Sequence, residues 1–299
     1  MRAARGVVQL LPGAGDEVGA ALVSHPRVAQ IAFTGSREVG VSILSNAGRV
    51  APGQVQLKRV VCEMGGKNAI IVDDDADLDE AVGGILRSAF GYAGQKCSAC
   101  SRLIVLDSVY DRLVPRLVEA ARSIRVAPPE DPSCELGPVI DQASWQRLTS
   151  LIREPGGGVE PLFVGGPVPE TGWFVPPSLF LVRDRDHPMA RQELFGPVLS
   201  VLRAGSFDEA LETASDSEYA LTGGLYSRSP SRIKQARKRF RVGNLYINRE
   251  TTGAMVDRQP FGGFGMSGGG TKAGGPGYLL NFVDPRVATE NTMRRGFVI

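Results

Sequence analysis

Gly94-Gln95-Lys96-Cys97-Ser98-Ala99-Cys100-Ser101-Arg102 is the stretch from which the rest of the chain is read. A thiol reacts as its thiolate, and its free pKa of about 8.5 falls only beside a cation, a helix N-terminus or a base. Lys96 and the glycine ahead of it are compatible with such surroundings at Cys97. Taken alone, Cys97 reads more readily as a small buried hydrophobe, and its neighbours overturn that reading. Cys97 and Cys100 also have the spacing of a redox dithiol or half a zinc site, but no second cysteine pair and no His-x-x-x-His follows, so no metal is expected.

Two further segments flank the thiol. Glu63-Met64-Gly65-Gly66-Lys67-Asn68 precedes it and Glu193-Leu194-Phe195-Gly196-Pro197 follows it. A free Glu, with a pKa of about 4.3, is a feeble base, so Glu63 would need partial burial beside its glycines to act near neutral pH. Without that context it reads as a capping or ion-paired surface carboxylate. Nearer the start, Phe33-Thr34-Gly35 reads as the end of a strand and Ser36 as the cap of a helix. The helix N–H groups would then face a pyrophosphate, although Gly-Ser turns also occur for steric and capping reasons alone.

The order and types of these residues resemble the aldehyde dehydrogenase superfamily, with its Glu-x-Gly-Gly-Lys, Gly-Gln-x-Cys and Glu-x-Phe-Gly-Pro segments. Phe33-Thr34-Gly35-Ser36-Arg37-Glu38-Val39-Gly40, and Asn248 followed by Pro260-Phe261-Gly262-Gly263 and Ser267-Gly268, extend the likeness. Within the superfamily the chain is most similar to the dehydrogenases of L-glutamate 5-semialdehyde, or 1-pyrroline-5-carboxylate. That narrower likeness rests on residues 95–102, on Tyr246-Ile247-Asn248-Arg249-Glu250-Thr251-Thr252-Gly253-Ala254, and on Gly274-Gly275-Pro276-Gly277-Tyr278 through Phe282.

The resemblance implies an α/β fold in three parts. Residues 1–62 complete an NAD-binding domain, 63–266 form an α/β catalytic domain, and 267–299 carry a substrate-anchor loop and an oligomerisation arm. It implies Cys97 as nucleophile toward an aldehyde, through a thiohemiacetal and a thioester, and Glu63 as the base that activates water. NAD is the implied cofactor, with Gly35 and Ser36 at its pyrophosphate and Glu193 and Phe195 at its nicotinamide half. Ser98, the N–H groups of Gly274 and Gly275, and Phe282 are the implied substrate contacts, the glycines reading equally as a flexible loop. The resemblance also implies a long segment ahead of Arg5-Gly6-Val7-Val8, with an oxyanion-holding Asn and a ribose-contacting Lys, and neither can be located in this sequence. Loss of one oxyanion donor typically costs about 100- to 1000-fold in rate. Three readings follow: an NAD-dependent glutamate-semialdehyde dehydrogenase of proline breakdown, a dehydrogenase of another semialdehyde, or a truncated non-catalytic fragment with exposed apolar surface.

Composition agrees with a globular α/β chain. Of 299 residues, 42% are apolar and 22% charged, enough for one or two sizeable cores. The net charge of +2 gives no global field for nucleic acid. The basic run of residues 232–241 reads as the solvated face of a helix capped by Ser229 with Pro230 first. No apolar stretch has membrane length and no secretory signal is visible, so a cytoplasmic protein with no membrane or nucleic-acid partner is expected, a homo-oligomer by resemblance. Cysteines at 62, 97, 100 and 134 are too few for a disulfide framework.

Strand-like and helical patterns alternate: strands over 28–34, 69–72, 103–106 and 223–227, and helices from 36, over 77–92 and 109–123, and from a Ser206/Glu209 capping box to 214. The Gly- and Pro-rich stretches 154–172 and 262–277 read as loops.

Overall fold

The computed structural model describes residues 6–292. A π-type turn at Gly15–Gly19 leads into α1 (Ala20–Ser24), and a βαβ unit follows: β1 (Gln30–Thr34), α2 (Arg37–Ala47) and β2 (Arg59–Glu63). Parallel strands need a crossover, which α2 supplies. Its first turn is capped as the sequence predicts, Ser36 Oγ accepting from Val39 N–H at 3.3 Å. The strands run in register from Gln30 opposite Arg59 to Thr34 opposite Glu63.

The chain then builds β3 (Asn68–Val72), α3 (Leu78–Phe90), β4 (Cys100–Leu106), α4 (Asp107–Arg122), α5 (Gln142–Arg153), β5 (Val159–Val164), β6 (Ser178–Val182), α6 (Pro188–Arg191), β7 (Val198–Ala204), α7 (Phe207–Ser215), β8 (Tyr219–Ala220), β9 (Thr222–Tyr226), α8 (Pro230–Arg239), β10 (Asn244–Ile247) and β11 (Phe264–Gly265). The seven-stranded sheet has the order β10-β9-β3-β4-β7-β6-β5. Every pairing is parallel except β5 with β6. All residues of β3, β6 and β9 are buried, which requires cover on both faces and explains the apolar runs of β3 and β6. Ile70, Ile71, Leu103, Ile104, Phe180 and Val201 form the centre of the core.

Several sequence expectations shift. The stretch 154–172 was expected to be loop but contains β5, an edge strand that tolerates Pro161 where its register against β6 slips. The stretch 262–277 contains β11, paired antiparallel with β8, and bridges Phe261 to Ala273 and Glu63 to Gly268. Helix α3 stops at Phe90 rather than 92, because Tyr92 and Ala93 adopt left-handed φ of 60° and 54°. Strand β4 begins at Cys100, so the chain enters it three residues after Cys97. The basic helix face is partly paired: Arg232 reaches Asp73 and Asp74, and Arg239 reaches Asp208.

The β1–α2–β2 unit stands apart from the large sheet and exposes Val39, Val41, Leu44, Val55 and Leu57. Of the expected terminal arm, residues 283–292 are exposed and without regular structure, while 293–299 lie outside the described residues, as do 1–5 of the expected cofactor-domain segment. Among the described residues no helix is long and apolar enough to cross a membrane.

Candidate active site

Residues 64–67 run directly from the C-terminal end of β2 into the N-terminal end of β3. That short joint brings the ends of β1 and β2 against the beginnings of β3, β4 and β9. Ligands in open parallel sheets usually lie at the carboxyl ends of strands. Here the β1–β2 pair follows that rule, while the large sheet contributes its amino ends.

The nucleophile loop is held by its carbonyls. Asn68 Nδ2, the first side chain of β3, donates to Cys97 O at 2.7 Å and to Ala99 O at 2.8 Å, while its Oδ1 accepts from Thr222 N–H at 2.9 Å. The hydroxyls of Thr222 and Thr251 both donate to Ser98 O at 3.2 Å. Behind them Arg102 is buried without a carboxylate. It donates to Lys67 O, Thr213 O and Ala214 O at 2.9–3.0 Å, so the last turn of α7 supplies the negative pole. Replacing Asn68 with Ala should strand three buried backbone groups at about 1–3 kcal/mol each. A drop in folding free energy of about 3 kcal/mol or more by urea unfolding is expected, and an unchanged midpoint would show that the loop needs no such tether.

Cys97 is half-buried, and its thiol is pushed up by burial first and then by the carboxylates of Glu193 and Glu63. The backbone N–H groups of Ser98 and Cys97 pull the other way. The cation expected from the sequence is not what acts on the thiol: the Lys96 ammonium lies 6.0 Å over the Tyr92 ring. Residues 96–99 form a turn closed by Ala99 N–H donating to Lys96 O at 2.9 Å, and the Lys96 side chain leaves it toward Tyr92. Cys100 is buried and pushed up to about 12, chiefly by burial.

Glu63 closes β2. Burial pushes its carboxyl up to about 7 against the opposing pull of Lys272, and Oε2 is buried without a hydrogen-bond partner. Its backbone is fixed on both sides, Gly35 N–H donating to Glu63 O at 3.1 Å and Met64 N–H to Ser267 O at 2.9 Å.

Glycines form the seams between these segments. A methyl on Gly65 would lie 1.9 Å from Glu193 Oε2, one on Gly66 would lie 2.8 Å from Cys97 O, and one on Gly94 would lie 2.3 Å from Gly196 O. Glu193 Oε1 accepts from Gly66 N–H at 3.0 Å. Arg147 of α5 holds the same turn through Leu194 O at 2.7 Å. Phe195 has a left-handed φ of 51° and is 43% exposed, which turns its ring outward.

Gly35, Ser36, Cys97, Glu193 and Phe195 wall a single cleft of about 1280 Å³. Arg37 and Glu38 of the first turn of α2 also line this cleft, and a helix start offers N–H donors suited to a pyrophosphate, with a carboxylate suited to ribose hydroxyls at the Glu193 end. A dinucleotide therefore fits the residues present. The cleft walls do not include Ser98, Gly274, Gly275 or Phe282. Ser98 is buried beside the nucleophile with its carbonyl taken by the two threonines. The Gly275 N–H donates to Lys272 O at 3.2 Å, and Gly274 O accepts from Asp257 N–H. Phe282 packs edge-on against Tyr278, in a segment whose Asn281 O accepts from Gln30 Nε2 of β1.

Asn68, Thr222, Arg102 and Lys272 had no assigned role in the sequence. Asn68 carried a signal, since it follows Gly-Gly-Lys directly. Thr222 and Lys272 carried none, because their partners lie far along the chain.

A model of the aldehyde dehydrogenase family matches residues 3–287. The chain is 47% identical over 286 residues to a 1-pyrroline-5-carboxylate dehydrogenase of Geobacillus sp. (strain WCH70), and 46% identical over 286 residues to that of Bacillus subtilis (strain 168). Each alignment covers 95% of this chain and 55% of the relative, so the chain spans about half the length of the curated relatives it matches. Among solved structures it resembles proline utilization A from Bdellovibrio bacteriovorus, with TM-score 0.93 and 54% identity over 96% of this chain and 30% of that one. It also resembles a 1-pyrroline-5-carboxylate dehydrogenase from Thermus with bound NAD, with TM-score 0.89 and 46% identity over 92% of this chain and 53% of that one.

Proposed function

The chain belongs to the aldehyde dehydrogenase family, and from that premise we propose that it oxidises L-glutamate 5-semialdehyde to L-glutamate, with NAD as hydride acceptor and Cys97 as nucleophile. One observation carries the reading: the thiol of Cys97 shares a cleft with Gly35, Ser36, Glu193 and Phe195, and Glu63 is near enough to raise it. The names of the similar proteins support the choice of substrate.

Cys97 Sγ would attack the aldehyde carbon, forming a C–S bond and leaving an oxyanion for which the Cys97 N–H is a donor. The α2 start and Glu193 would hold the dinucleotide, which when bound supplies the acceptor for the hydride lost from the thiohemiacetal carbon. A thioester then remains on Cys97. Glu63 takes a proton from water, the hydroxide oxygen bonds to the acyl carbon, and the C–S bond breaks to return the thiolate. Glu193 orients the ribose through the carboxylate that Gly66 N–H holds.

The test is Cys97-dependent formation of reduced nicotinamide by the purified chain, with glutamate 5-semialdehyde beside succinate semialdehyde, which lacks the α-ammonium. Equal turnover of both would sink the substrate assignment. A second reading, a chain inactive by itself, is favoured by the apolar side chains that the β1–α2–β2 unit exposes. Absence of turnover from soluble folded protein would select it. Self-association is part of the same proposal and is read by light scattering.

The clamp makes a separate prediction. Gly65→Ala would drive a methyl into Glu193 Oε2 and displace the carboxylate. A hydrogen bond to a charged group is worth about 1.5–3 kcal/mol, so NAD should bind roughly 10- to 100-fold more weakly by calorimetry. Unaltered affinity would remove Glu193 from the cofactor site.

A further inference from the structure

Lys272 lies in the glycine-rich stretch after β11, and its ammonium is fully engaged. Nζ donates to Gly243 O at 2.5 Å, Gly262 O at 2.8 Å and Asn244 Oδ1 at 3.1 Å, which uses its three protons. Those acceptors lie at the start of β10 and in the turn at Gly262, so the charge is fixed in place instead of swinging on a flexible stem. Across the thickness of Gly262 lies the base. A methyl there would be 3.0 Å from Glu63 Oε1 and 3.5 Å from both Lys272 Cα and Cγ. The backbone clasps the same place: Phe261 and Ala273 exchange hydrogen bonds at 2.7 and 2.9 Å, and Gly269 N–H donates to Cys62 O at 3.3 Å.

We propose that Lys272 is a positioning residue for the base, its immobilised positive charge, held across Gly262, favouring the ionised form of Glu63 during thioester hydrolysis. The inference rests on the reading of Glu63 as the base. The groups that face Glu63 are Lys272 from the glycine-rich stretch, Cys97 from the nucleophile loop and Cys62 on its own strand. Both thiols are pushed up by burial, Cys97 carries the acyl group during hydrolysis, and Lys272 is the charged group that acts on Glu63. Burial and Lys272 oppose each other at Glu63, and Glu63 in turn holds Lys272 up against its own burial. Removing the lysine charge therefore leaves burial unopposed and moves Glu63 further up.

The experiment isolates hydrolysis from cofactor chemistry. p-Nitrophenyl acetate acylates Cys97: the C–S bond forms, the ester C–O bond breaks and p-nitrophenolate leaves. Excess ester is removed, and loss of the acetyl adduct is followed by intact-protein mass across a pH series, ending in acetate and the free thiol. An opposite charge nearby typically lowers a carboxyl pKa by about 1–3 units. Lys272→Met should accordingly move the midpoint of hydrolysis up by about one pH unit or more. Lys272→Gln, which keeps an amide donor for Gly262 O, should do the same if Lys272→Met does not fold. A midpoint that stays in place in a folded variant overturns the inference. So does loss of the fold in both variants, which would make Lys272 a structural clasp. If Cys97 takes no acetyl group, or Glu63→Gln leaves the parent profile intact, the reading of the site fails first and the inference falls with it.

Discussion

Cys97→Ala is expected to abolish both acetyl transfer from p-nitrophenyl acetate and formation of reduced nicotinamide, a loss on the order of 10⁴- to 10⁶-fold. Of the other three thiols, Cys134 is half-buried away from the cleft walls, its Sγ donating to Ala127 O at 3.0 Å. Cys100 is buried, pushed up to about 12, and its Sγ sits 3.3 Å from Arg102 O. Cys62 is buried and held up in the same direction. Cys100→Ala should therefore retain the acetyl adduct, and intact-mass measurement on the two variants side by side separates the thiols. An adduct that persists in Cys97→Ala and disappears in Cys100→Ala would move the nucleophile and dismantle the proposed chemistry. The thiol of Cys97 is itself raised in the free chain, so alkylation should be slow at neutral pH and quicken as pH rises.

Glu63→Gln is expected to separate the two halves of the reaction. Acylation of Cys97 should survive, because the thiol and its two backbone donors are untouched. Hydrolysis of the acyl adduct should slow by about 10²- to 10⁴-fold, the usual contribution of a positioned general base. The pH dependence follows from the direction of the shift. The carboxyl is raised to about 7, so below that pH it is increasingly protonated and cannot take a proton from water. The parent rate should rise through neutrality and level off above it, whereas the Gln variant should show only the slow climb due to hydroxide. A parent profile that levels off near pH 4 to 5 would mean that Glu63 behaves as an ordinary exposed carboxylate.

Much of the site was legible because the relevant signals are local. Ser36, Ser206 and Ser229 cap their helices through residues three positions on, as the sequence pattern indicates. The apolar run of residues 69–72 is a buried parallel strand, and the glycines flanking Glu63 and Cys97 stand where chain segments touch. Other features misled for equally local reasons. Glycine and proline between 154 and 172 hid β5, which survives because an edge strand needs only one hydrogen-bonded side. Lys96, adjacent to the nucleophile, suggested a cation that the loop turns away toward Tyr92.

The sequence by itself determined which reactive groups are present, their order, the helix caps and the α/β alternation, since these depend on residue chemistry and on neighbours within a turn. Only the tertiary structure decided that Asn68, Thr222 and Thr251 tether the nucleophile loop from 29, 124 and 153 residues away. It alone decided that burial pushes the Glu63 carboxyl up to about 7 and that Lys272 stands across Gly262 from it. Hydrogen-bond partners and desolvation are properties of what surrounds a group in space, and a chain acquires those surroundings only when β2, β3, β4, β9 and the glycine-rich stretch after β11 close on one another.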